Sequence, residues 1–291
     1  PEVIIHGADL KESGIPLVSG LKDAPTLTAI ELLDSWTREE RQAAFINRHR
    51  FAVGLIQEAG PHIESYRARC PGTEFFWTPN AVDTSLFHDR RLPKAYDVVL
   101  YGELDPAVYP FRSRLARLLA AQPDLRFRHI RHPGYYPRTA DGVVAGADLS
   151  CEINKSWVGI ATRSIHHCLL MKYLEIAASR AAVAGDMPEH GRALFGNDFI
   201  ELGAEESDEN ILKTLRAHLT DKDRLAAMTD AAHRRVLREH STDAFADRIL
   251  LLFRDLLAKR GGHARAAGRS PAPAGGSAEP AQKGGTRFHV R

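Results

Sequence analysis

Lys172-Tyr-Leu-Glu-Ile-Ala-Ala-Ser179, running on into Ala181-Ala-Val-Ala184, decides how this chain is read. The second run is short, uncharged and small, and reads as a strand; the first reads as the helix that leads into it. Glu175 stands among Leu174, Ile176, Ala177 and Ala178. A carboxylate in such a run is rarely buried without a partner, because taking a charge out of water is costly. With a helix beginning near Lys172, Glu175 falls in the first turn, close to the carboxyl end of the preceding strand. Open parallel sheets bind ligands there. A carboxylate so placed can accept two hydrogen bonds from the hydroxyls of a ribose, and Lys172 can reach a phosphate. The same spacing also suits a solvent-facing Glu that complements the helix dipole. Spacing alone leaves both readings open.

Outward from this stretch the chain keeps one rhythm. Tyr96-Asp-Val-Val-Leu-Tyr101 reads as a strand and is followed at once by Gly102-Glu103. Residues 113–121 form an amphipathic helix, 125–130 and 149–153 read as strands, 164–179 contains helical segments, and 181–184 and 199–202 are further strands. Ser207-Asp-Glu-Asn210 caps a helix carrying Ile211, Leu212, Leu215 and Leu219, and a second follows with Leu225, Met228, Ala232 and Val236. Residues 242–257 close the pattern with an apolar helical face. In the first 80 residues, 3–6, 15–19, 51–55 and 74–77 read as strands. Thr37-Arg-Glu-Glu40 opens a charged helix as a capping box, and 63–68 is a short helix after Pro61. Strands alternating with helices predict an α/β chain with parallel sheets covered on both faces. Pro79-Asn-Ala-Val-Asp83 breaks the rhythm, and 84–92 reads as a connection. The expected division is therefore 1–82, 83–258 and a tail, 259–291. The first unit is expected to be truncated, since the chain opens Pro1-Glu-Val-Ile-Ile5 already inside an apolar run, without an initiator Met.

Composition narrows the function. With 291 residues, 44% of them hydrophobic and 26% charged, the chain has the make-up of a globular protein with a sizeable core. No run of about 18 apolar residues is present to span a bilayer, and no secretory signal opens the chain. Three widely spaced cysteines, Cys70, Cys151 and Cys168, suit buried thiols in a reducing compartment and not a disulfide framework. The net charge of +2 is misleading, because residues 260–291 hold six Lys/Arg and one Glu, leaving 33 basic and 36 acidic residues elsewhere. A nucleic-acid binder concentrates positive charge on its folded part. Here the excess lies in a Gly-, Ala-, Pro- and Ser-rich tail of disordered composition. The expectation is a cytoplasmic protein with no nucleic-acid partner and at most peripheral contact with the inner face of the cell membrane.

Four stretches carry a resemblance. Lys172 to Asp186 resembles the segment of GT-B glycosyltransferases, family 1/4-like, in which a Glu opens a small-residue helix and a strand follows. It is most similar to the bacterial spore-maturation-type branch. Phe76-Trp-Thr-Pro-Asn-Ala-Val-Asp-Thr-Ser-Leu-Phe87 resembles the strand and linker between that fold's two domains. Tyr96 to Glu103 resembles the first strand and glycine turn of the nucleotide-binding domain, and His240-Ser-Thr-Asp243 the segment before the closing helix. The likeness covers roughly residues 75–258 well and the start loosely.

The resemblance implies two Rossmann-like domains facing a cleft, and a sugar transferred from a nucleotide-diphosphate sugar to a glycan, lipid or protein acceptor. It implies retention of configuration and no metal, with the nucleotide sugar as donor substrate and no separate cofactor. Position by position, Glu175 would hold the donor ribose and Gly102 would let the backbone approach the diphosphate. Arg163 and Ser164, just before a helix, Lys172, and Arg112 at the start of a helix would meet its charge. His6 and Asp9, at the end of a first-domain strand, are candidates for touching the reacting sugar; Asp23 is similar in position. His129, His132 and Gly134-Tyr-Tyr136 are candidates for lining the cleft from one loop. The chain departs from the pattern at His167, where a second Glu is usual, and at Arg180, often a glycine. His166 and His167 are adjacent, so on a helix they point about 100° apart and suit a metal poorly. A second reading is a non-catalytic subunit of the same fold in an envelope or spore-coat assembly.

Overall fold

Parallel pairing satisfies the backbone of short, largely apolar strands, and two sets of such strands do this separately. The computed structural model describes residues 2–8, 20–131 and 144–267. The first sheet is built from β1 (Val3–Ala8), β2 (Leu27–Leu32), β3 (Val53–Ile56) and β4 (Glu74–Trp77), all parallel and adjacent in chain order. Beside it, α1 (Glu39–His49) and α2 (Pro61–Arg69) contribute Ala43, Ile46, Ile63 and Tyr66 to a core shared with Ile30, Leu32 and Ile56.

The second sheet holds β5 (Tyr96–Gly102), β6 (Phe127–Arg131), β7 (Ser156–Ile160), β8 (Ala182–Gly185) and β9 (Ile200–Glu201), in the order β6-β5-β7-β8-β9 and again all parallel. Its helices are α3 (Pro110–Ala120), α4 (Gly146–Asn154), α5 (Lys172–Ala178), α6 (Glu189–Phe195), α7 (Asp208–Thr220) and α8 (Lys222–Glu239). Along β5, Val98 and Leu100 pack with Leu115 of α3 and Leu215 of α7, while Val99 and Tyr101 pack with Ile176 of α5 and Val236 of α8. A strand buried on both faces is the pattern of a doubly covered parallel sheet. The chain moves from β5 outward to β6, then crosses to β7 on β5's other side. The carboxyl ends of β5 and β7 therefore form a topological switch point, where such sheets leave a crevice.

The linker and the approach to the last helix meet each other. Val82 donates its N–H to the carbonyl of His240 at 2.9 Å, and Thr242 donates to the carbonyl of Val82 at 3.2 Å. The last helix, α9 (Thr242–Ala267), runs on beyond the residues expected of it. Residues Pro1–Leu250 form one compact unit and Leu251–Arg291 a second, whose described part is the remainder of α9. Among the described residues no helix is long and apolar enough to cross a membrane.

Several expectations need correction. Residues 149–153 are not a strand but part of α4, in which Ile153, Ser150 and Asn154 are buried at helical spacing. The strands β2 and β7 carry no expectation at all. Both are central, and their Leu, Ala, Glu, Ser and Gly content hides them. Thr37 caps nothing: α1 starts from Arg38, which lies in the left-handed region, and the Thr37 hydroxyl donates to the Asp34 carbonyl at 3.0 Å. Ser207 does cap α7, accepting from the Asn210 N–H at 3.2 Å. Residues 15–19 lie outside the described residues.

Candidate functional site

Gly159 in β7 allows α5 to lie close against the sheet, since a Cβ there would come within 2.7 Å of Ile176. That contact seats the first turn of α5, with Lys172 and Glu175, beside the end of β5. Tyr101, the penultimate residue of β5, donates its hydroxyl to Glu175 Oε2 at 2.7 Å, and its ring lies 4.1 Å from Lys172 Nζ. Burial, and then the Glu175 charge, hold the Tyr101 hydroxyl well above its ordinary pKa, so it stays a donor. One carboxylate oxygen of Glu175 is thereby engaged and its plane oriented.

Gly102 has φ +100°, and a Cβ on it would meet Lys172 Nζ at 2.4 Å and Arg112 Nη1 at 3.5 Å. A glycine at this turn is what leaves room for two cations. Burial, and next the charge of Arg112, push the Lys172 ammonium down to about 7, with Glu175 opposing. Arg112 is only 1% exposed. Its Nη1 donates to the Glu103 carbonyl at 3.0 Å, its Nη2 to the Thr162 carbonyl at 3.2 Å and its Nε to Thr162 Oγ1 at 3.2 Å. It lies 3.8 Å from the centre of the Tyr109 ring. Arg112 thus fastens the loop after β5 to the loop after β7, and keeps its charge beside Lys172.

Glu103, Tyr109, Arg112, Lys172 and Glu175 line a cavity of about 320 Å³ at the switch point. The carboxyl ends of first-sheet strands supply the facing wall, with Asp34 and Trp36 after β2 and Gln57 and Glu58 after β3, and Asn80 comes from the linker. Glu58 is 4% exposed, accepts a hydrogen bond from the Ser35 hydroxyl at 2.7 Å, and has its pKa raised by burial. None of these four first-sheet residues was foreseen. Asp34 and Trp36 follow a strand the sequence hides; Glu58 follows one it shows, and its position just past 51–55 was the available signal.

The other expected residues are placed elsewhere. Arg163 and Ser164 precede no helix, because α5 begins only at Lys172. Arg163 donates to Asp186 at 2.9 Å, and burial pushes that carboxyl up to about 6. Ser164 is buried and accepts from the His166 N–H at 3.2 Å. Arg163 borders a second cavity of about 750 Å³, lined also by His62, His166, His167 and His190. His6 is not at a loop: it sits within β1 opposite Ile30, stacked on Phe45 at 5.7 Å and Phe51 at 6.0 Å, and lines neither cavity. Asp9, His132 and residues 134–136 lie outside the described residues. His129 is an exposed residue within β6, not a loop residue, and Asp23 ends a short 3-10 turn. Arg180 occupies a left-handed position with φ +55°, and offsets that strain by pairing with Asp89 and Asp230, each at 2.7 Å. Among the described residues no group of three or more His, Cys, Asp or Glu side chains is placed to hold a metal ion.

Two parallel sheets facing each other across a cleft at their carboxyl edges define the GT-B architecture of glycosyltransferases. Residues 90–251, more than half of the chain, match the glycosyl transferase-like family, and the chain belongs to that family. No curated protein matches it in sequence. Sucrose-phosphate synthase of Thermosynechococcus elongatus shares the fold with a TM-score of 0.57 at 13% identity, over 80% of this chain and 69% of that one. HepE of Anabaena, solved with UDP-glucose, gives 0.56 at 11% over 79% and 72%. The pneumococcal O-GlcNAc transferase GtfA, solved with UDP and GlcNAc, gives 0.50 at 14% over 80% of this chain and 53% of its own. Identities this low speak for the fold alone.

Proposed function

We propose that this chain transfers a sugar, as a hexosyltransferase-type enzyme, from a nucleotide-diphosphate sugar to a hydroxyl of a glycan, lipid or protein acceptor. The observation that carries the reading is the Tyr101–Glu175–Lys172 unit packed against Gly102 at the switch point. Glu175, with one oxygen held by Tyr101, accepts from the ribose hydroxyls. Lys172 and Arg112 face the diphosphate, and Gly102 admits it. In the transfer, the bond between the anomeric carbon and the diphosphate oxygen breaks, and its electron pair leaves with the diphosphate. The acceptor oxygen bonds to that carbon as its proton passes to the Glu58 carboxylate. Cations fixed in place before the charge develops stabilise the departing group. Glu58, on the opposite wall, receives the hydrogen bond of the acceptor hydroxyl. The likeness of residues 172–186 to the retaining enzymes supports retention without a metal, and a place in the spore-maturation-type branch.

The test is a melting-temperature screen with UDP-, GDP-, ADP- and dTDP-glucose, followed by calorimetry with the sugar that stabilises most. Glu175→Ala should weaken that sugar about 100-fold, the loss of charged hydrogen bonds worth roughly 2–3 kcal/mol. Unchanged affinity in the variant would sink the assignment.

A further inference from the structure

The 750 Å³ cavity stands beside the 320 Å³ one and is built from the same two loops. The chain after β3 gives Glu58 to the smaller cavity and Ala59, Pro61 and His62 to the larger. The chain after β7 gives Arg163, Ile165, His166 and His167 to the larger and Cys168 to Lys172 to the smaller. Trp36, a wall of the first, stacks on His166, a wall of the second, with ring centres 5.3 Å apart and planes 19° from parallel. His62 Nε2 donates to the His166 carbonyl at 3.0 Å, which holds that wall in place. An acceptor hydroxyl placed at Glu58 would leave the rest of its molecule in the larger cavity.

The lining says what that rest is. Its volume lies within the range of pockets that enclose a whole small organic ligand, roughly 300–1,000 Å³. Four imidazoles and two prolines make up most of the walls, with Ile165 as the large aliphatic side chain and Arg163 and Glu189 as the charged ones. Long acyl or isoprenoid chains call for aliphatic walls, whereas flat rings stack on flat rings. The charge of Arg163 is matched by Asp186. Burial first and the neighbouring His62 next lower the pKa values of His166 and His190, with Glu189 opposing at His190. His190 rests edge-on against Trp77 at 5.8 Å, and its Nε2 is buried without a hydrogen-bond partner among the described residues.

We infer that the histidine-lined cavity binds the aromatic aglycone of the acceptor, so that the sugar is transferred to a phenol or to a glycoside of one. This rests on the reading of the smaller cavity as the donor site. Calorimetry on the full chain with 4-methylumbelliferone, octyl glucoside and maltose tests it. The expected result is binding of 4-methylumbelliferone with one site per chain, weakened about tenfold or more by Ile165→Asp and by Ala59→Trp. Ile165 is 50% exposed, so Ile165→Asp leaves the core untouched. Both variants should keep wild-type affinity for the nucleotide sugar, and Glu175→Ala should keep 4-methylumbelliferone binding; failure of the donor reading alone would show only in the nucleotide titration. Tighter binding of octyl glucoside or maltose, binding of none of the three, or 4-methylumbelliferone binding indifferent to both variants would overturn the inference.

Discussion

The two walls of the cleft are built on opposite plans. On the second-sheet wall the cations are set before any ligand arrives. Arg112 is tied to two loops, Lys172 is pinned over Tyr101, and Glu175 is oriented by the same tyrosine. On the first-sheet wall the charged groups are the carboxylates Glu58 and Asp34, flanked by Trp36 and Gln57. A diphosphate suits only the first of these, and a hydroxyl that must give up its proton suits the second. In the proposed reading the donor therefore falls to the second-sheet wall and the acceptor to the first.

Lys172 offers the largest test of that asymmetry. Its ammonium is buried at a cost, with a pKa of about 7 in the fold against the ordinary lysine value of 10.5. A depressed lysine makes the fold more stable as pH rises from about 7 toward that ordinary value; below about 7 the destabilisation is complete. Lys172→Met should therefore raise the melting temperature at pH 7 while binding of the nucleotide sugar falls. In the wild type, affinity should be flat below about pH 7. Above it, binding must first return a proton to Lys172, so affinity should drop by up to about tenfold per pH unit. A sugar-substituted diphosphate does not itself titrate there, so the slope reports the protein. A wild-type affinity that stays level between pH 6 and pH 9 would show that Lys172 does not meet the diphosphate.

Gly102→Ala should act on the same wall by geometry. The new Cβ would stand 2.4 Å from Lys172 Nζ on a residue with φ +100°. Lys172 must move, and the turn is strained by about 1–3 kcal/mol. Unfolding by urea should show that loss, and the affinity for the nucleotide sugar should fall about tenfold, less than for Glu175→Ala. A variant with lowered stability but full affinity would separate the glycine from the donor.

The two walls also differ in how much of them the sequence displays. Glu175, Lys172 and Gly102 are visible because each breaks a local rule: a charge in an apolar run, or a glycine at the end of an apolar strand. Arg112 could be named but not placed, since nothing local says that a guanidinium three residues from Tyr109 is buried. The first-sheet wall is nearly silent. Asp34 and Trp36 hang from β2, whose mixed composition conceals a strand buried at every position but Glu31. His6 shows the converse difficulty. A histidine near a strand end looked functional, but a strand two residues longer than expected turned it inward onto Phe45 and Phe51. Periodicity finds elements; it does not say which loop ends face each other across a cleft.

The smallest effect on donor binding belongs to Glu58, and it is the one that sharpens the division most. Glu58→Gln keeps the volume and an oxygen able to accept from Ser35, so the fold should hold. In the proposed reading the donor is met from the other wall, so its affinity should stay within about a factor of two, the scatter expected for a substitution that removes no donor contact. Turnover should fall about tenfold or more, because the amide takes a proton from the acceptor hydroxyl far less readily than a carboxylate does. Burial raises the Glu58 pKa, so in the wild type that activity should decline as pH falls through a value above the ordinary carboxylate range, and the decline should vanish in Glu58→Gln. Equal losses of donor affinity and turnover would mean that Glu58 shapes the donor site instead, and that the cleft's two walls do not divide the substrates between them.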